Sequence, residues 1–92
     1  MLHISEKDIY RDGTKIGWIE DTHVFAVSGN KVGYISGNDI FAISGTKAAY
    51  LSGDKLTRVG HDTPIHIEEV NKQVTGGTFS EIQRSATFVF FS

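Results

Sequence analysis

Residues 29–44, GNKVGYISGNDIFAIS, are repeated almost whole on both sides of themselves. The preceding sixteen residues, 13–28, are GTKIGWIEDTHVFAVS, and the following sixteen, 45–60, are GTKAAYLSGDKLTRVG. In every copy, runs of β-branched and aromatic residues alternate with turn residues, which is typical of two short strands per unit. The repeat therefore predicts tandem β-hairpins joined in one antiparallel meander, a mainly β fold.

The whole chain, residues 1–92, has the length of one small domain. We divide it into a partial repeat at 1–12, full hairpin repeats at 13–28, 29–44 and 45–60, a decayed repeat and linker at 61–77, and a helical segment at 78–92. The decayed region has weak alternation at 65–70, which predicts a further strand, followed by a turn into another at 73–75.

Tight turns set the register predicted within a hairpin, because glycine readily adopts the positive φ that two-residue turns need. A turn at residues 37–38 pairs Ile35 with Ile40 and Tyr34 with Phe41. Matching turns are predicted at the other hairpin ends, at residues 21–22 and 53–54. A one-residue slip would move every side chain to the opposite face, so the pattern specifies this register.

The link between units is predicted to be a second two-residue turn, at residues 29–30. That turn pairs Val24 with Ile35 and Val27 with Val32. One face of the sheet then carries an aromatic row, Trp18, Phe25, Tyr34, Phe41, Tyr50 and Thr57. The opposite face carries the aliphatic row Ile19, Val24, Ile35, Ile40, Leu51 and Leu56 beside the small-residue row Gly17, Ala26, Gly33, Ala42, Ala49 and Arg58.

The tail changes from strand to helix periodicity. Thr78 and Glu81 have the spacing of a capping box, and apolar residues follow at helical intervals from Phe79 to Phe90. We predict one C-terminal α-helix at about 79–91, packed on the sheet through its apolar stripe. The alternative is a strand at 86–91, where ATFVFF has strong β propensity.

Composition excludes several classes of function. The net charge is −2, and nine Lys and Arg are scattered along the chain, which argues against nucleic-acid binding. The chain has no cysteine, so no disulfide or thiolate is available. The first residues, MLHISEKDIYRD, lack the apolar run of a signal peptide, and no segment is apolar enough to span a membrane. We therefore expect a soluble cytoplasmic protein, or one released by lysis inside a particle.

The pattern G-x-K-x-G-Y-I-x-G at 29–37, with S-E-I-Q-R-S-A at 80–86, resembles small bacterial proteins built of tandem β-hairpin repeats. Its glycine–aromatic hairpins are also distantly similar to the choline-binding repeats of bacterial surface proteins. That resemblance implies that Trp18, Tyr34 and Tyr50 cage a quaternary ammonium through cation–π attraction. The chain departs from the pattern in having one tryptophan and a sixteen-residue spacing.

The aromatic row has two interpretations. Trp18, Tyr34 and Tyr50 could form a platform for a glycan or another small ligand, or the row could be core, covered by the helix or by a partner. Covering is favoured, since the other face is apolar as well. Lysines recur at 15, 31 and 47, and we place them on the small-residue face as charges that discourage aggregation.

No catalytic residue, cofactor or metal site is predicted. His61, Asp62 and His66 cluster in sequence, so a metal-dependent hydrolase remains an alternative, but their spacing matches no established ligand pattern. Glycines at 76–77 before the helix could bind an anion, although the lysine and spacing of a P-loop are missing.

Both faces of the predicted sheet are apolar, and one short helix can cover only one of them. The functional prediction follows from the uncovered face. We expect a non-enzymatic structural or interaction module that forms a homo-oligomer, most simply a dimer, with an unidentified protein partner also compatible. The predicted self-association face consists of Gly17, Gly33, Ala42, Ala49, Ile35 and Leu51.

Overall fold

The computed structural model describes residues 2–61 and 63–92. The strands are β1 (Leu2–Ser5), β2 (Asp8–Arg11), β3 (Thr14–Glu20), β4 (His23–Ala26), β5 (Lys31–Ser36), β6 (Asp39–Ala42), β7 (Lys47–Ser52), β8 (Lys55–Arg58), β9 (Ile65–His66) and β10 (Val74–Thr75). The helices are α1 (Ile67–Gln73) and α2 (Glu81–Phe91). The fold is the predicted β-meander with a C-terminal helix packed on it.

The strands form one sheet in the order β10-β1-β2-β3-β4-β5-β6-β7-β8-β9. All neighbours are antiparallel except β10 and β1. A flat sheet with nine steps between strands would be about 43 Å wide, yet the longest dimension of the molecule is 31 Å. Moreover, the edge strands β9 and β10 are joined only by α1, whose seven residues span about 10 Å. The sheet must therefore curl until its edges approach each other.

Three β-bulges favour this curl. In β5, Val24 faces Gly33 while Phe25 faces Lys31, so Val32 is an extra residue on that strand. Equivalent bulges occur in β3, where Ile16 is the extra residue, and in β7, where Ala48 is the extra residue. A bulge bends its strand and increases the local twist. The sixteen-residue repeat thus contains its own source of curvature.

The register within each hairpin is as predicted, with Tyr34 facing Phe41 and Ile35 facing Ile40. The register predicted between units is wrong. Val24 faces Gly33 rather than Ile35.

The cause of this error is the shape of the turn that joins two units. The Gly29 amide donates to the Ala26 carbonyl at 2.9 Å, and the Ala26 amide donates to the Asn30 carbonyl at 2.9 Å. Gly29 has a φ of +98°, the left-handed conformation that is typical of the last residue of a three-residue hairpin loop. Residues 27–29 form this loop, so the predicted two-residue turn at 29–30 does not form.

The core lies on the inner face of the curled sheet, the face that packs against α2. The aliphatic row predicted for one face is almost wholly buried there: Ile19, Val24, Ile35, Ile40, Leu51 and Leu56. Leu2, Ile4 and Ile9 extend it across the partial first repeat. From α2, Ser85, Ala86 and Thr87 are buried among these side chains. The helix therefore fills the concave side of the sheet.

Helix α2 begins two residues later than the predicted capping box indicates. Ser80 is the N-cap, and its hydroxyl accepts from the Gln83 amide while the Gln83 side chain accepts from the Ser80 amide. Thr78 and Glu81 therefore do not form the box. The strand alternative at 86–91 is also wrong, because these residues belong to α2.

A second helix was not predicted. Residues 67–73, assigned in part to a strand, form α1, and its Ile67 and Val70 are buried three residues apart on one face. Arg84 of α2 connects the two helices, since its Nε donates to Asn71 Oδ1 at 2.8 Å and its Nη1 to the Gly76 carbonyl at 3.1 Å. This short helix lies between β9 and β10 in the chain and so links the two edges of the sheet.

Replacing Gly33 by alanine tests the approach of α2 to the sheet. A Cβ on Gly33 would collide with the Phe90 ring and with the Phe41 carbonyl oxygen. We expect Gly33→Ala to lower the free energy of unfolding by about 1–3 kcal/mol, measured by urea denaturation. Ser36→Ala is the control, since Ser36 is an exposed residue of the same strand and its change alters little packing. Equal stability of the two variants would contradict the packing described here.

Candidate functional site

The predicted self-association face lies inside the protein's own core. Ile35, Ala49 and Leu51 have exposed fractions of 6%, 0% and 8%. The Phe91 ring lies over Gly17, and the Phe90 ring lies over Gly33. Ala42 is half-buried at the end of the same face. In this fold α2 packs over Gly17 and Gly33, and most of this face has little exposed surface.

The aromatic residues lie on the outer face, the side of the sheet opposite α2. Trp18 stacks on Phe25 with ring centroids 5.1 Å apart, and Tyr34 stacks on Phe41 at the same distance. Tyr50 faces Thr57 instead and is 37% exposed. The interpretation that the C-terminal helix covers this row is therefore wrong, because the helix occupies the other face.

Each unit places a lysine against its aromatic ring. The Nζ atoms of Lys15, Lys31 and Lys47 lie 5.4, 5.3 and 5.6 Å from the ring centroids of Trp18, Tyr34 and Tyr50, respectively. We call these six residues the lysine–aromatic row. The distances are within the range of cation–π attraction, which is worth about 0.5–1 kcal/mol at exposed sites.

The lysines were predicted on the small-residue face, and that prediction is wrong. Lys31 precedes Tyr34 by three positions, a spacing that puts two residues of a regular strand on opposite faces. The extra residue Val32 lies between them and restores a common face. The bulge that curls the sheet therefore also creates the lysine–aromatic row.

Aspartates hold two of the three ammonium groups. Lys15 Nζ lies 3.1 Å from Asp8 Oδ1, and Lys47 Nζ lies 3.3 Å from Asp39 Oδ1. These aspartates occupy equivalent places, since Asp8 faces Trp18 and Asp39 faces Tyr50 across neighbouring strands.

The central unit differs, because His23 holds this place and faces Tyr34. No described carboxylate comes within ion-pair distance of Lys31 among residues 2–61 and 63–92.

The geometry of a unit decides which ligands it can accept. Trp18 has Phe25 on the strand on one side, while Lys15 reaches toward Asp8 on the other side. Both ring faces are thus occupied, and the ring edge is the part left for a ligand. Ring edges carry partial positive charge, whereas ring faces carry partial negative charge. The row therefore presents positive ring edges and ammonium groups to solvent.

A shallow cleft of about 450 Å³ adjoins the first unit and is lined by Lys7, Asp8, Lys15, Trp18, Glu20 and Phe25. Lys7 Nζ lies 3.2 Å from Glu20 Oε1, so both lysines of this cleft have carboxylate partners. Polar groups beside an aromatic ring are typical of ligand sites with hydrogen-bonding specificity.

The histidines of the hydrolase alternative lie near one edge of the sheet. His61 follows β8, and its amide donates to the Arg58 carbonyl at 3.0 Å. His66 in β9 has Nδ1 3.8 Å from Asp54 Oδ2. Asp62 lies outside the described residues. Within the described ranges, no three His, Asp or Glu side chains converge as metal ligands.

No protein-family description, curated protein or solved structure matches this chain. Neither α1 nor α2, the helices of the described chain, has the length and apolar character needed to cross a membrane.

Sequence reasoning found the aromatic members of the row but missed their pairing with lysine and aspartate. The signal is present as lysine three residues before each aromatic residue, at 15 and 18, 31 and 34, and 47 and 50. In a regular strand, residues three positions apart lie on opposite faces. The spacing alone therefore predicts that lysine and aromatic residue are separated, and only the bulge puts them on one face.

Replacing Phe25 by leucine tests the stacked pair. Phe25→Leu removes the ring on one side of Trp18, and we expect the emission of this single tryptophan to shift to longer wavelength with stronger acrylamide quenching. The lost aromatic contact should also reduce stability by about 0.5–1.5 kcal/mol beyond the change in buried area. Phe41→Leu is the matched control, because its ring stacks on Tyr34. Identical emission of the two variants would refute the stacking.

Proposed function

We propose that this protein is a non-enzymatic binding module whose lysine–aromatic row recognises a glycan. The observation that carries the proposal is the recurrence of one constellation, a lysine ammonium over an aromatic ring, in three successive units of the outer face. Equivalent units lie two strands apart, so neighbouring ammonium groups are spaced by roughly 10 Å along the sheet. An extended ligand that crosses the strands could contact all three units.

The chemistry of the row favours ligands rich in oxygen acceptors. Ammonium groups donate up to three hydrogen bonds each, and the aromatic edges add weak positive potential. Sugar hydroxyl and carboxyl oxygens are acceptors of this kind. A quaternary ammonium ligand is disfavoured at Trp18 and Tyr34, since a lysine and a stacked phenylalanine already flank each of these rings. The cage implied by the choline-binding resemblance is therefore not what we propose.

The row also contains the residues expected of recognition rather than of reaction. Its members are lysines and aromatic rings, and two aspartates beside it are engaged with lysine at 3.1 and 3.3 Å.

Self-association is the second candidate, at a place other than the predicted one. Val27, Ile43 and Val59 occupy the same position of the sixteen-residue repeat, each just after a strand, and are 56%, 58% and 52% exposed. We call them the apolar turn row. A second copy of the chain could cover it, because exposed apolar side chains in a line are unfavourable in water. Phe90 and Phe91 are half-exposed at the same end of the sheet and would extend the contact.

A titration with oligosaccharides tests the glycan proposal. Chemical shifts of backbone amides should change along the lysine–aromatic row when a panel of neutral and acidic oligosaccharides is added. Combined replacement of Lys15, Lys31 and Lys47 by glutamine should weaken binding at least about tenfold, because hydrogen bonds from charged donors are worth about 1.5–3 kcal/mol each. The control replaces Lys55 and Lys72, which lie outside the row and outside the cleft beside Trp18. A panel that leaves the row unperturbed would refute the proposal.

Light scattering tests the second candidate. At micromolar concentration the protein should scatter as a dimer or larger species, and the combined change of Val27, Ile43 and Val59 to serine should leave a monomer with unchanged thermal unfolding. Serine is tolerated in turns, so loss of fold is not expected. A monomeric wild-type protein would rule out self-association through the apolar turn row.

A further inference from the structure

The central unit of the outer face breaks the symmetry of the repeat. In the flanking units an aspartate faces the aromatic residue and binds the lysine, as Asp8 does for Lys15 and Asp39 for Lys47. In the central unit His23 stands at this position and faces Tyr34. A histidine cannot supply the negative charge that the neighbouring lysines receive.

Lys31 is also the most enclosed of the three lysines. It is half-buried, whereas Lys15 and Lys47 are exposed. Its ammonium retains the ring of Tyr34 at 5.3 Å, but the part of the chain that the structure describes gives it no carboxylate. Burying a charge without a counter-charge is unfavourable. A ligand carboxylate should therefore bind more strongly at Lys31 than at a lysine that already has an aspartate partner.

From this geometry we infer that the central unit binds a carboxylate of the ligand, at the place where the flanking units hold their own aspartates. The ligand class is a glycan that contains uronic or other acidic sugars. Lys31 supplies the ammonium, and the His23 imidazole supplies a hydrogen-bond donor beside it. The flanking pairs act as internal templates, since they show how a carboxylate sits against a lysine and an aromatic ring in this fold. The inference rests on the proposed glycan-binding function and specifies its ligand and its central contact.

Changing His23 to aspartate is the direct test. In His23→Asp the protein would supply its own carboxylate to Lys31, as the flanking units do, and exclude the ligand. The probes are tetragalacturonate and the same oligosaccharide with its carboxylates reduced to neutral alcohols, and the readout is the chemical shift of amides around residues 23, 31 and 34. We expect the wild-type protein to prefer the acidic probe and His23→Asp to bind it at least about tenfold more weakly.

Control variants separate this contact from a general effect of charge. Lys31→Gln should lose the acidic probe to a similar extent, while Lys72→Gln, which removes a paired lysine outside the lysine–aromatic row, should change binding less than about twofold. His23→Asn keeps the site free of a carboxylate and should still bind. Thermal unfolding of His23→Asp at or above the wild-type temperature shows that the fold is intact.

The outcomes distinguish the inference from the function on which it rests. If both probes bind the row equally, or if His23→Asp binds tetragalacturonate as well as the wild type, the carboxylate contact is refuted while glycan binding stands. If neither probe perturbs the row, both are refuted. A preference for the acidic probe that disappears in His23→Asp and in Lys31→Gln, but not in Lys72→Gln, supports both.

Discussion

The close approach of α2 to the inner face of the sheet is the constraint on which the rest of the structure depends. The Phe91 and Phe90 rings lie directly over Gly17 and Gly33, in space that any side chain would fill. Two-sided apolar strands need cover on both faces, and here one helix covers the inner face of several units at once. The curled sheet supplies the concave surface for that helix, and the small residues of the repeat let it come near enough to exclude water.

The same β-bulges serve packing on one face and charge placement on the other. Each adds one residue, Ile16, Val32 or Ala48, which increases twist and brings the sheet edges within reach of α1. The added residue also moves the side chains that precede it to the opposite face of the sheet. Each lysine therefore lies on the outer face, beside an aromatic ring. Curvature and the lysine–aromatic row are therefore consequences of a single irregularity, which explains why they recur with the same period.

The two faces differ in how strictly they follow the repeat. The inner face keeps its aliphatic row through every unit, since packing density penalises a change of volume. On the outer face the flanking units pair lysine with aspartate, but the central unit has His23. Exposed ion pairs contribute little to stability, so folding alone does not require that pattern. The replacement of aspartate by His23 in the central unit is therefore informative about binding. The proposed ligand contact rests on this replacement.

The sequence by itself determined the meander, the hairpin register, the aliphatic core row and the C-terminal helix, because these follow from local periodicity and from turn residues. It did not determine α1, whose short apolar run at 65–70 is compatible with strand or helix until the distance between the sheet edges is known. Nor could it assign lysines 15, 31 and 47 to the aromatic face, because a bulge forms only when neighbouring units pair. Which apolar face stays open was likewise decided by tertiary structure: only the face with Gly17 and Gly33 admits a helix, so the aromatic face remained outside.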